Sequence, residues 1–202
     1  MADKLILKAG SRISSETILY EEYQKEDNQI IANVSIDKIE DVFQHFIAIH
    51  DEPLFFVLEL PAKFDDETEA APHVVNTLHK DVYYMDGCTQ EEALTILSRA
   101  GNILYNDGLS SFGFGGHESN DEILFGKYNV LTLYSTDIDK YDDFFEPHEI
   151  GETERIITAW DTFSENTPGT SERYEMEGKT VFDIPKMFGE WGIYLAEQRE
   201  DK

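Results

Sequence analysis

Residues 89–134 read TQEEALTILSRAGNILYNDGLSSFGFGGHESNDEILFGKYNVLTLY, and the order of elements in this stretch decides the fold class. Thr89 and Glu92 have capping-box spacing, so hydroxyl and carboxylate can each take the other's free backbone N–H. Behind them Ala93, Leu94, Leu97, Ile103 and Leu104 form an apolar stripe that predicts a helix from about Gln90 to Tyr105. Asn106-Asp107-Gly108 should end it, with the glycine in the left-handed conformation. Three runs follow, Ser111 to Gly115, Glu122 to Phe125 and Val130 to Tyr134, separated by Gly- or Asn-containing turns and read as consecutive antiparallel strands. A helix followed by a run of adjacent strands belongs to an α+β fold rather than a parallel doubly wound one.

The flanks read the same way. Leu5-Ile6-Leu7 is a short strand, and Thr17 to Tyr23 with Gln29 to Val34 forms a hairpin around Glu26-Asp27-Asn28. Ile36, Ile39, Val42, Phe43, Phe46 and Ile47 predict a helix over 36–49, with Ser35 as its cap. Phe55 to Leu60 is a strand stopped by Pro61, and Val82 to Met85 is a strand turned by Asp86-Gly87. Asp137 to Phe145 reads as a short helix capped by Thr136, with Ile138, Tyr141, Phe144 and Phe145 inward. Ile156 to Phe163 reads as a strand, Glu172 to Phe182 as a hairpin around Glu177-Gly178-Lys179, and Pro185 to Gln198 as a last helix. The expectation is a single α+β domain over 1–202, a mostly antiparallel sheet with about four helices packed on it. The candidate seam is 61–73, where an acidic run ends in Pro72.

Charge bounds the function. The chain has 42 Asp and Glu against 16 Lys and Arg, a formal net charge of -26 over 202 residues. A surface of this sign repels nucleic acid and anionic membrane and draws cationic partners toward it. Adaptation to salt or to solubility would also enrich carboxylates. The 41% hydrophobic content, with 13 Phe and 10 Tyr, supplies a core that a disordered acidic tail lacks. The apolar run near the N-terminus is too short for a signal-peptide core, no stretch reaches membrane-spanning length, and the single cysteine fits a reducing compartment. Cytoplasmic location is therefore expected.

The acidic groups come in two blocks. The first holds Asp65, Asp66, Glu67 and Glu69. The second holds Asp137, Asp139, Asp142, Asp143 and Glu146, continuing through Glu149, Glu152 and Glu154, with Lys140 its one cation before Arg155. Either block can be a solvated face; together they read as a surface for a basic protein, with nearby aromatics as anchors. Asp137, Asp139 and Asp142 miss the calcium-loop pattern, since Asp142 holds the glycine position and His148 the terminal Glu position. No metal and no cofactor are expected.

Cys88 precedes a helix N-terminus, where a thiolate would be stabilised, and His117 or His79 could serve as its base. It also holds the first position of a hydrophobic staple whose partner is Ala93. The glycines of 108–116 fit neither dinucleotide nor phosphate-loop spacing and read as a glycine-punctuated strand. His117, Glu118 and Asp121 form a weak metal set, and His45 and His50 fall on different helix faces. Trp160 and Trp191 read as core aromatics.

The segments Asp107-Gly108-Leu109-Ser110-Ser111-Phe112-Gly113-Phe114-Gly115 and Ile157-Thr158-Ala159-Trp160-Asp161-Thr162-Phe163, set in a short acidic chain, resemble the small cytosolic immunity proteins of bacterial toxin systems. That resemblance implies an α+β domain that neutralises a nuclease or other toxin by direct contact; it transfers no residue role. The leading expectation is a non-enzymatic acidic inhibitor of a basic, nuclease-like partner. The alternatives are a cytosolic enzyme using Cys88 or the His117 region, and a nucleic-acid mimic. The oligomeric state is left open.

Overall fold

The computed structural model describes residues 2–62, 69–71, 74–75 and 79–200. In chain order the elements are β1 (Ser11–Ile13), β2 (Glu22–Glu26), β3 (Gln29–Asn33), α1 (Ile39–Ile49), β4 (Leu54–Pro61), β5 (Glu69–Ala71), β6 (Val74–Val75), β7 (His79–Cys88), α2 (Gln90–Asn106), β8 (Ser111–Gly116), β9 (Glu122–Phe125), β10 (Val130–Tyr134), β11 (Gly151–Glu152), β12 (Gly169–Ser171), α3 (Ile184–Met187) and β13 (Tyr194–Glu200). Nine strands make one sheet in the order β11-β2-β3-β10-β9-β8-β4-β7-β13. Its pairs are antiparallel except β11 with β2, which is parallel, so the α+β class holds with a mixed sheet.

Alternation along β8 places Phe112 and Phe114 on one buried face. Phe43 of α1 stacks on Phe112 at 4.7 Å between ring centroids, and Tyr105 of α2 lies 5.8 Å from the same ring. The helices thus cover this face and close the main core. The capping box forms as expected: Glu92 N–H donates to Thr89 Oγ1 at 3.1 Å, and Thr89 N–H to the Glu92 carboxylate at 2.8 Å. Cys88 and Ala93 are both buried in that core, as a staple requires.

Elsewhere tertiary contacts override local pattern. The hairpin is β2–β3, with Glu26 opposite Gln29, but residues 17–21 and 3–7 form no strand and meet only in a short ladder around the isolated Lys4–Tyr20 bridge. Helix α1 starts at Ile39 with Lys38 as an N-cap lacking a side-chain bond; Ser35 Oγ instead accepts the Ile6 N–H at 2.9 Å. Asp86-Gly87 does not turn the chain. β7 runs on to Cys88, and Gly87, at φ 73°, is the extra residue of a bulge between the Leu54–Cys88 and Phe55–Asp86 pairs. At the end of α2 the stop is the Asp107 carboxylate, which accepts the Leu109 and Ser110 N–H groups. Gly108 is required for close approach rather than handedness: a Cβ there would lie 1.8 Å from the Gly10 carbonyl oxygen.

Asp137–Phe145 is not an α-helix. Its inward residues at 138, 141 and 144 repeat every three, the 3-10 period, and the chain forms 3-10 turns at Ile138–Tyr141 and Glu146–His148 without a Thr136 cap. Ile156–Phe163 is likewise not a strand but a 3-10 turn, Ala159–Thr162, closed by a Thr158–Asp161 capping box. Between Glu172 and Phe182 only the Met176–Lys179 bridge survives of the expected hairpin. The expected last helix stops after α3, because the open edge of β7 offers ladder hydrogen bonds to Tyr194–Glu200, and β13 forms there. The expected seam at 61–73 lies largely outside the described residues; of it, β5 pairs with β6. Among the described residues no helix is long and apolar enough to cross a membrane.

Candidate functional site

The 3-10 segment between Ile138 and His148 separates two clefts. On one side lies a groove of about 660 Å³ whose walls include Glu22, Asp142, Asp143, Glu146, Glu149 and Glu152. The parallel pairing of Gly151 with Glu22 and of Glu152 with Tyr23 brings β11 carboxylates beside those of β2. No Lys or Arg lines this groove among the described residues. Burial, then the Glu152 and Asp142 carboxylates, push the Tyr23 phenol pKa above its ordinary value. Lys25, on β2, reaches from the hairpin to the same segment and pairs with Asp139 at 3.1 Å and with Asp142.

On the other side a cleft of about 540 Å³ is lined by His45, His50, Lys140 and Phe144, with Asp51, Glu118 and Asp143. Its floor is a buried polar cluster. His50 Nδ1 donates to the Phe46 carbonyl at 2.7 Å, and its Nε2 lies 3.0 Å from Asp121 Oδ2. The Tyr141 hydroxyl is 2.9 Å from His50 Nε2 and 3.0 Å from Asp121 Oδ2, while Lys140 pairs with the same carboxylate. Burial alone would raise the Asp121 pKa, but Lys140, Ser135, His50 and Ser119 hold it down at about 2. Every polar atom of the imidazole is already engaged within the protein. The cluster therefore fixes the 3-10 segment to α1 and β9, and His50 has no ring nitrogen left over for substrate.

A second histidine contact crosses the same seam: His45 Nδ1 and His148 Nε2 are 3.1 Å apart, and the His45 ring stacks on Phe144 at 4.5 Å. Burial lowers both histidine pKa values, and for His148 the neighbouring His45 lowers it further. No group of three or more His, Cys, Asp and Glu able to hold a metal ion occurs among the described residues.

The sequence-based site residues divide accordingly. Asp65, Asp66 and Glu67 lie outside the described residues, and of Glu69 only its place in β5 is described. Asp137 is exposed just before the 3-10 segment. Asp139 and Asp142 are the Lys25 pair, and Asp142, Asp143 and Glu146 line the groove. Glu22 was not among the expected site residues, because only the non-local β11–β2 pairing places it there. The His50–Asp121–Tyr141 cluster was also missed, being assembled from α1, the start of β9 and the 3-10 segment.

Cys88 is buried with its thiol donating to the Met85 carbonyl at 3.2 Å, and burial pushes its pKa up to about 11. His117 Nε2 lies 3.5 Å from Asp86 Oδ1. No family model matches this chain, and no curated protein or solved structure matches it.

Proposed function

We propose that this chain is a non-enzymatic acidic binding protein that covers the functional surface of a basic protein, as an inhibitor or immunity protein of a nuclease-like partner would. The observation that carries the reading is the groove of about 660 Å³ between β2, β11 and the 3-10 segment, with carboxylates on both walls and no lining cation among the described residues. A low-dielectric concavity walled by one sign of charge concentrates its field and accelerates capture of the opposite sign. A partner that grips phosphates carries its Lys and Arg where such a groove would meet them. The buried thiol of Cys88 removes the main support for an enzyme reading.

The test uses the tagged chain as bait in lysate of its source at low ionic strength, eluted by a salt ramp. The expected result is one basic protein released only at high salt, and loss of that protein's activity when the chain is added back. Recovery of nothing specific, or of a partner whose binding ignores salt, would count against the proposal.

A further inference from the structure

The sequence reads Trp160 as a core aromatic, yet it is 52% exposed, as are Ile6 at 52%, Ile18 at 51%, Ile157 at 50% and Tyr20 at 41%. Backbone contacts bring the segments that carry these five side by side. Lys4 bridges Tyr20, and Leu5 N–H donates to the Leu19 carbonyl at 2.9 Å, a register that sets Ile6 opposite Ile18 with Leu5 and Leu19 turned inward. Asn33 Nδ2 then donates to the carbonyls of both Tyr20 and Ile157, at 3.1 and 2.9 Å, fastening the chain before Trp160 beside this strand-like pair. Trp160 is held in place. Its ring packs edge-on against Tyr128 at 4.9 Å and Phe163 at 5.5 Å, on a turn closed by the Thr158–Asp161 capping box.

Resting on the function proposed above, we infer that this apolar face is the anchor half of one docking surface, and that its occupant is the basic partner itself, presenting an apolar patch flanked by Lys or Arg. Two observations choose that occupant. First, the face borders the groove along the chain: Ile18, Tyr20 and Glu22 are alternate, more exposed positions between the buried Leu19, Glu21 and Tyr23, the chain bends at Glu21, and Glu22 is a wall of the groove. Second, each copy carries a net charge of -26, so a second copy brings repulsion to the face where a cationic protein brings attraction. Charge then governs the encounter and the rigid aromatic governs the hold, since a pre-ordered anchor loses little freedom on binding.

The test compares three baits for the cationic protein that the unmodified chain retains: the unmodified chain, Trp160→Ser with Ile18→Ser, and Glu22→Gln with Glu146→Gln and Glu149→Gln. Affinity for that purified protein is then measured across a salt series. The apolar variant should bind about thirtyfold more weakly with an unchanged salt slope, as expected for a hot spot. The groove variant should show the flattened slope. Ile157→Ser, read beside it with a thermal melt of each variant, separates lost contact from lost folding. An apolar variant that binds as tightly as the unmodified chain overturns the inference and leaves the proposed function standing. If the unmodified chain retains no cationic protein, both fall. A variant whose only change is loss of self-association assigns the face to a second copy and overturns the inference.

Discussion

Asp121 and Glu146 stand on opposite sides of one 3-10 segment, and their surroundings are opposite too. Asp121 is buried and answered at once by Lys140, His50 and Tyr141. Glu146 is exposed in a groove of other carboxylates, of which Asp142 is answered by Lys25, and no described Lys or Arg lines the groove itself. Asp143 borders both clefts, so the contrast arises across the width of a single turn. Charge that is paired inside the molecule holds structure together, whereas charge left unpaired at the surface costs stability through repulsion and is available to a partner.

The largest test of the contrast is Asp121→Ala. It leaves Lys140 and the Tyr141 hydroxyl without their shared acceptor and should cost roughly 3–5 kcal/mol, read as a drop in the urea midpoint. Asp121→Asn with little loss of stability would mean that the cluster is no stronger than the groove. Next comes the triple change Glu22→Gln, Glu146→Gln and Glu149→Gln. Stability should stay within about 0.5 kcal/mol or rise, while association with a basic partner slows about tenfold at low salt. Destabilisation by that variant would erase the distinction between the two sides.

A smaller effect sharpens the comparison through pH. His45 and His148 both have pKa values lowered by burial from the ordinary 6.5, so the folded state prefers them neutral. Their contribution is fully present above 6.5 and is lost as the pH falls through the folded values, so the denaturation midpoint should drop on acidification below neutrality. His148→Gln should reduce that dependence. Asp121, depressed from 3.8 to about 2, adds stability that persists above pH 4 and disappears only as pH approaches 2. The smallest effect is an absence. Cys88, with its pKa pushed up to about 11, should resist a thiol reagent at pH 8 in the native chain and react once the chain is unfolded by urea. Rapid native labelling would reopen the enzyme reading.

Local chemistry made much of the fold legible. The Thr89–Glu92 capping box, the apolar stripe of α2 and the three strands after it need no distant partner to be recognised, and they stand where the residues put them. The failures share another cause. The end of the expected helix, from Tyr194 to Gln198, meets the free edge of β7 instead, and Ile156–Phe163 alternates like a strand but is claimed by a capping box and by the Tyr128 ring. The acidic wall of Asp142, Asp143 and Glu146 was readable as a block of charge. Its opposing wall depends on β11 finding β2, a pairing of residues far apart in the chain for which no local signal exists.

That sheet order also shapes the life of the unfinished chain. β3 lies between β2 and β10, and β10 is made only after α1, β4, β7, α2, β8 and β9. Until then Ile30 and Ala32, fully buried at the end, belong to a strand with one open edge. Late pairing of this kind is slow and leaves half-made sheets able to stick to one another. Same-sign charge along the nascent chain holds such copies apart while the sheet is unfinished. Refolding in about 1 M salt, which shrinks the reach of that repulsion to about 3 Å, should lose chains to aggregation that refolding in dilute buffer recovers.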